Sequence, residues 1–303
     1  MEFRQIQYFL EVARREHVTE AADALHVAQS SVSRQIFNLE DELGVELFVR
    51  EGRNVKLTTI GKIFYDRMHL VMNMIDDAKR EVKEYTSPDK GTVRIAFPMS
   101  MAAHTIPTII HSFRMRYPEV KFQMTSAPHK DLINGVVKGD FNLAMVAPMP
   151  NKNKVRKIKG TTLFTEKIVA LLPSHHPLAE RESIMLRELK DDFFVVLSES
   201  FVFRDQVIQA CNNAGFSPKI AFEGEDIHAL KGLVSASLGI ALIPEMTLID
   251  NTPRPTVMIP ISDANVTRTV GVIYSSERKL SPTEEVFYQF LLETYERLND
   301  FKN

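Results

Sequence analysis

The sequence predicts an α/β chain in three parts: a small helical head closed by a β-hairpin, one long helix, and a large region where strands alternate with helices. Three observations predict it. Residues 2–43 carry helical periodicity and are followed by two short β-type runs joined through Gly52. Residues 59–86 hold the cleanest heptad seam of the chain. Beyond Gly91, β-like runs such as TVRIAF and FNLAMVA alternate with amphipathic ones, which implies a mostly parallel sheet covered on both faces.

Composition narrows the function classes. The 303 residues are 44% hydrophobic and 25% charged, an ordinary globular balance. No window approaches the run of about 18 apolar residues that a membrane span needs, and charges break up the apolar residues of the first segment, so neither a membrane anchor nor a secretory core is expected. Cys211 stands alone, which excludes an internal disulfide and a cysteine metal cluster and fits the cytoplasm. The formal net charge is −2, and in residues 1–58 seven Lys and Arg face ten Asp and Glu. Nucleic-acid binding here therefore requires cations gathered on one face.

Residues 2–16 form an amphipathic helix through Phe3, Ile6, Phe9, Leu10 and Ala13. Thr19 is the expected N-cap of EAADALHV, whose inner face is Ala21, Ala22 and Leu25. Ala28–Ser31 reads as a turn, followed by a helix with the inner stripe Val32, Ile36, Leu39 and Leu43 and Gly44 as its C-cap. This is a helix-turn-helix at about 18–37, and the hairpin Leu47–Arg50 with Asn54–Leu57 is its wing. In such an arrangement the second helix enters the major groove by its first turns, placing Gln29, Ser30, Ser31, Ser33 and Arg34 outward. Arg34 suits guanine and Gln29 adenine. The serines suit phosphate, though Ser30 and Ser31 read equally well as capping residues. Arg50 and Arg53 on the wing are placed for phosphate or a narrow minor groove.

The long helix carries Phe64, Met68, Val71, Ile75, Ala78, Val82 and Tyr85 at alternating steps of four and three. A stripe this narrow on a helix roughly 40 Å long implies a partner helix from a second subunit. Ser87–Gly91 then breaks the pattern as a linker.

The segment REHVTEAADALHVAQSSVSRQIFNLEDELGVELFVREGRNVKLTTIG resembles the DNA-binding domain of LysR-type transcriptional regulators throughout its length. The matching pieces include Ala21-Ala22, Gln29 to Ile36, Leu39-Glu40, Leu43-Gly44, Leu47-Phe48 and Leu57-Thr58 with Gly61. The likeness continues more loosely through Phe113-Arg114, Tyr117-Pro118, Ser174–Leu178, Lys231–Val234 and Leu238–Pro244. It implies a winged helix-turn-helix DNA-binding domain at 1–58, a dimerisation linker at 59–87 and an effector-binding domain at 88–303. The last would be two Rossmann-like lobes resembling a periplasmic binding protein, lobe I at about 91–161 and 268–303 and lobe II at about 162–267. Double-stranded promoter DNA, a small-molecule effector and RNA polymerase are the implied partners, and a homodimer assembling to a homotetramer is the implied state. By position, the effector residues would be Ser100, Met101, Ser126, His129, Ala147, Pro148, Phe201, Arg204, Glu225 and Lys231. Ser100 is expected at a helix start, where it meets an anion or merely caps. Arg204 and Lys231 are candidate carboxylate partners, and Arg204 reads equally as a surface ion pair. Pro128 replaces the family's usual small hydroxyl residue, which weakens any transfer of ligand contacts through that loop. EHVTEAADALHVAQS, REGRNVKLT, FTEKI, AFEGEDIHALKGLVSA and RTVGVI resemble the branch that activates glutamate-synthase genes. That branch implies nitrogen or glutamate metabolism and a dicarboxylate such as 2-oxoglutarate.

Other features point to no chemistry. The side chains of His175 and His176 diverge and lack a suitably spaced third ligand, so no metal or cofactor is expected. Cys211 reads as a buried apolar side chain on a helix at 205–214. Nucleophile-elbow, Walker and dinucleotide motifs are missing, so no enzyme is expected. A solute-binding protein or an α/β enzyme using the same cleft are the alternatives: the first leaves residues 1–86 without a role, and the second needs a nucleophile–base constellation that the sequence does not show.

Overall fold

The computed structural model describes residues 1–52, 54–151, 155–249, 252–262 and 266–300, with the backbone alone for Pro88 and 298–300. It divides into two compact units, Met1–Lys79 and Arg80–Asn303.

The first unit begins with helices α1 (Phe3–Arg15), α2 (Val18–Ala24) and α3 (Gln29–Leu43) and the hairpin β1 (Phe48–Glu51) with β2 (Asn54–Leu57). Tyr8, Val12, Ala21, Ala22, Val32 and Ile36 form the core between the helices, and the two alanines let α2 lie close against its neighbours. α2 starts a residue before the expected cap, because the His17 ring takes that role and accepts the Glu20 N–H at 3.3 Å. α3 starts at Gln29 behind Ala28, so Gln29–Ser31 are helical rather than a turn. Leu43 does not continue the inner stripe and is 38% exposed. The chain reverses at left-handed Gly44, and Leu47 fills the space beside Phe9 and Leu39 instead. A Glu40 carboxylate oxygen holds that reversal, accepting the N–H of Leu47 at 2.7 Å and of Phe48 at 3.1 Å.

Helix α4 (Thr59–Glu84) grows directly from the wing. The Thr58 hydroxyl caps it, accepting the Gly61 N–H at 2.8 Å and donating to the Glu46 carbonyl at 2.9 Å. A Cβ on Gly61 would lie 2.0 Å from the Leu47 carbonyl oxygen, so only glycine permits this approach. Along the expected seam, Phe64 packs edge-on against Phe9 in the head core. Val71 and Val82 stay exposed, as does Tyr85 just past the helix end.

The second unit continues with β3 (Thr92–Phe97), α5 (Thr105–Arg114), β4 (Lys121–Ser126), α6 (His129–Lys138) and β5 (Leu143–Val146). Next come the long strand β6 (Ile158–Pro173), β7 (Phe193–Leu197), α7 (Val202–Asn213), β8 (Lys219–Gly224) and α8 (Ile227–Ser235). β9 (Ala241–Pro244), β10 (Thr256–Ile259), β11 (Thr267–Ser275) and α9 (Pro282–Asp300) complete it. In lobe I the strand order is β4-β3-β5-β11-β6. β3 runs parallel to β4 and β5, but β11 is antiparallel to both β5 and β6. In lobe II the second half of β6 pairs antiparallel with β9 and β10, and parallel β7 and β8 reach β9 through a Phe194–Ile240 bridge.

The sheets are thus mixed, not mostly parallel as expected. The chain leaves lobe I along β6 and returns along β11, and two passages in opposite directions side by side must be antiparallel. β6 passes from one core to the other between Phe164 and Ile168. Its second half is a continuous buried run, whereas its first half mixes buried with exposed residues.

Lobe I is packed around Phe113, whose ring lies 4.7–5.9 Å from those of Tyr117, Phe122, Phe287 and Phe290. Lobe II has a largely aliphatic core that also encloses Cys211, where burial pushes the thiol up to about 12. Phe113→Ala, which empties the centre of the aromatic cluster, is expected to cost about 3–5 kcal/mol. Urea unfolding followed by circular dichroism measures it.

Candidate functional site

Two surfaces gather the candidate residues, and each belongs to one unit. On α3, Gln29, Ser30, Ser31, Ser33 and Arg34 are all exposed, while Val32 and Ile36 are buried. Gln29 Nε2 lies 3.5 Å from Ser33 Oγ, so the polar face begins as a connected row. Arg50 is exposed on β1, whereas Arg53 lies outside the described residues.

Several acids of the head are occupied elsewhere. Glu11 bridges Arg14 at 2.7 Å and Arg15 at 2.5 Å, Glu42 holds the N-terminal ammonium, and Glu51 pairs with Lys56 at 2.7 Å. Among the described residues Arg34 and Arg50 make no ion pair, so their charges remain available in an acidic head.

In the second unit a cavity of about 280 Å³ opens between the lobes. Of the expected effector residues, Ser100, Ser126, His129, Ala147, Phe201 and Glu225 line it together. Pro148 contributes its carbonyl, which accepts a hydrogen bond from His129 Nε2 at 2.8 Å. Burial lowers the His129 pKa, which favours the neutral ring with its proton on Nε2.

Three expected contacts are placed elsewhere. Met101 is buried in the lobe I core. Arg204 follows the lining residues Phe201, Val202 and Phe203 around α7, and its guanidinium meets the Leu197 carbonyl and the Glu223 carboxylate, both at 2.7 Å. Arg204 itself is buried, and its ion-pair partner Glu223 is exposed. Lys231 lines a second chamber.

Ser100 does not begin an α-helix. It sits in a short 3-10 turn, Met99–Met101, and α5 starts only at Thr105. Pro107 explains the delay: in the first turn its missing N–H costs nothing, whereas further inside it would break the helix.

Ser100 Oγ instead accepts from both terminal nitrogens of Arg268 at 3.2 Å. Arg268 Nε donates to Glu166 Oε2 at 2.6 Å, a direct cross-strand pair in the register of β11 on β6. The other Glu166 oxygen accepts the Met246 N–H at 3.1 Å, and the guanidinium lies 5.6 Å from the centroid of the Phe203 ring. Arg268 thus ties together both crossing strands, the Ser100 turn and a lobe II aromatic, and it lines the cavity. Sequence reasoning missed it. The available signal was a charged residue inside each of two β-like runs, FTEKI and RTVGVI, which burial would force to pair.

Other tempting residues are structural. His176 bonds Asp192 at 3.1 Å and accepts the Leu178 N–H at 3.2 Å. Among the described residues no group of three or more His, Cys, Asp or Glu could hold a metal, and no helix is long and apolar enough to cross a membrane.

Comparison with known proteins gives a consistent family. Residues 3–62 match the bacterial regulatory helix-turn-helix protein, lysR family, and residues 86–296 match the LysR substrate binding domain. The chain is 49% identical over 302 residues to the transcriptional dual regulator GltC of Bacillus subtilis, covering 100% of both. It is 34% identical over 292 residues to the HTH-type transcriptional regulator YybE of the same species, covering 96% of this chain and 98% of that one. Full-length CbnR complexed with its target DNA has a similar fold, with a TM-score of 0.78 at 21% identity over 97% of this chain and 100% of that chain.

Removing Glu166 alone would strand a buried guanidinium. Glu166→Ala is expected to cost about 3–5 kcal/mol, while Glu166→Leu combined with Arg268→Met recovers most of it. Urea unfolding of the single and double variants distinguishes the two outcomes.

Proposed function

Because the chain belongs to the LysR family of bacterial helix-turn-helix regulators, we propose that it reads promoter DNA with α3 and the wing, under control of a small metabolite bound between its lobes. The exposed row from Gln29 to Arg34 on a helix whose opposite face is buried carries the DNA half of this reading. Arg34 supplies base discrimination, and Arg50 with Arg53 supplies phosphate contacts. The domains follow the expected division at 1–58, 59–87 and 88–303, acting in the cytoplasm where promoter and polymerase are met. The exposed Val71 and Val82 support pairing of two long helices in a dimer, which a further pairing makes a tetramer.

Likeness to GltC supports target genes in glutamate or nitrogen metabolism and makes 2-oxoglutarate the first compound to try as effector. Glu225 and Asp226 in the lining favour a second choice, an amino acid whose ammonium meets these carboxylates. Neither candidate requires chemistry on the ligand: the effector acts by binding one arrangement of the lobes better than another.

Arg34→Ala is expected to lose about 1–3 kcal/mol of discrimination at one base pair, while Arg50→Ala weakens all sequences evenly and lowers the salt slope. Competition gel shifts over a salt series separate these effects. Ile75→Asp should split the dimer, read by sedimentation. In calorimetry on the full chain with 2-oxoglutarate and glutamate, Phe201→Ala is expected to weaken whichever binds, and an unchanged affinity would place the effector elsewhere.

A further inference from the structure

Phe37 on α3 is 66% exposed and joins neither core of the head, although Val32, Ile36 and Leu39 on the same helix are buried. A single exposed aromatic is ordinary in itself. Its place on the helix is what carries meaning. At about 100° per residue, Ser30, Ser33, Arg34 and Phe37 fall within an arc of roughly 100°, at i, i+3, i+4 and i+7. Val32, Ile36 and Leu39 lie on the opposite side. Phe37 therefore stands in line with the polar row, and its exposed neighbours a turn away on that face, Ser33, Arg34 and Asp41, are all polar. A protein partner covers a contiguous apolar patch, and along α3 this aromatic has no apolar neighbour on its face to make one.

The row also sets what Phe37 meets. Three residues at about 1.5 Å each place Phe37 about 4.5 Å beyond Arg34, against a spacing of roughly 3.4 Å between successive base pairs. When Arg34 reads one base edge, the edge one or two steps along comes within reach of the Phe37 ring. In the major groove thymine alone among the four bases presents a methyl group, and the other edge groups are hydrogen-bond donors and acceptors that a phenyl ring cannot satisfy. Asp41 follows on the same face, and its exposed carboxylate is repelled by phosphate, so the row ends at Phe37.

We infer that Phe37 reads a thymine methyl one or two base pairs from the base met by Arg34. This rests on α3 being the DNA-reading helix, and it adds a specificity residue of a different chemistry. Arg34 and Gln29 select by hydrogen bonds, whereas Phe37 selects by taking a methyl group out of water.

The test begins with an operator selected from random-sequence DNA by the full chain. Each thymine is then replaced in turn by uracil, which removes the methyl and keeps every hydrogen-bonding group, and gel shifts read the affinity. Wild type should lose about 4-fold at one thymine per half-site, the worth of one buried methyl group. At that position 5-methylcytosine should bind more tightly than cytosine by a similar factor, because the methyl is the only difference between them. Phe37→Ala, a change at an exposed helical site that spares the fold, should bind the operator more weakly and no longer distinguish thymine from uracil. Phe37→Leu, which keeps an apolar side chain there, should retain part of the distinction. Specific binding without any uracil effect, a uracil effect undiminished in Phe37→Ala, or unchanged operator affinity of that variant overturns the thymine contact and leaves the DNA reading standing. A smaller oligomer for Phe37→Ala in sedimentation overturns it too, by assigning the ring to a second copy of the chain. Failure to select any operator overturns the DNA reading itself.

Discussion

A carboxylate and a guanidinium placed opposite each other on the two strands that cross between the lobes constrain the whole sensor region. Glu166 and Arg268 are both buried, where an unmatched charge is expensive and a matched one tolerates little displacement. A one-residue slip of β11 on β6 would part them and turn every apolar residue of β11 to the wrong face. The pair therefore specifies register as much as it adds stability. Its outer contacts extend that precision: Ser100 is held at the cavity wall by hydrogen bonds from Arg268, and the Met246 backbone is held by Glu166.

The head was legible in the sequence because its structure is local. Helical periodicity, alanines at the close contact and Gly44 at the reversal each act within a few residues. What periodicity alone left unexplained, the structure accounts for in the same terms. Glu40 satisfies two backbone donors of the reversal, Thr58 caps the long helix, and Gly61 admits the Leu47 carbonyl. The misplaced starts of α2 and α3 are capping errors of two and three residues.

The lobes were less legible because their decisive features are long-range. Strand direction depends on how the chain passes twice between the lobes, which no window of sequence contains. β8 and β10 are short runs, KIAFEG and TVMI, whose side chains stay mostly exposed or half-exposed. Position along the chain brought six expected residues to one cavity but misjudged the direction of Arg204 and Lys231. A helix turns its side chains by about 100° per residue, so a residue near a cleft in sequence need not face it. Arg268 escaped notice because its partner lies 102 residues away.

The Thr58–Gly61 junction also bears on how force moves through the head. The wing's last strand, the cap and the first turns of α4 share hydrogen bonds, and Phe64 of α4 is wedged against Phe9 of the head core. There is no slack segment between the wing and the long helix: a rotation of α4 near its start must carry α3 with it, as a spanner carries a bolt. If α3 enters a groove, as proposed, the angle at which it does so is inherited from the axis of α4. Whatever pairs or reorients two such helices would thereby choose which spacings of half-site can be gripped together.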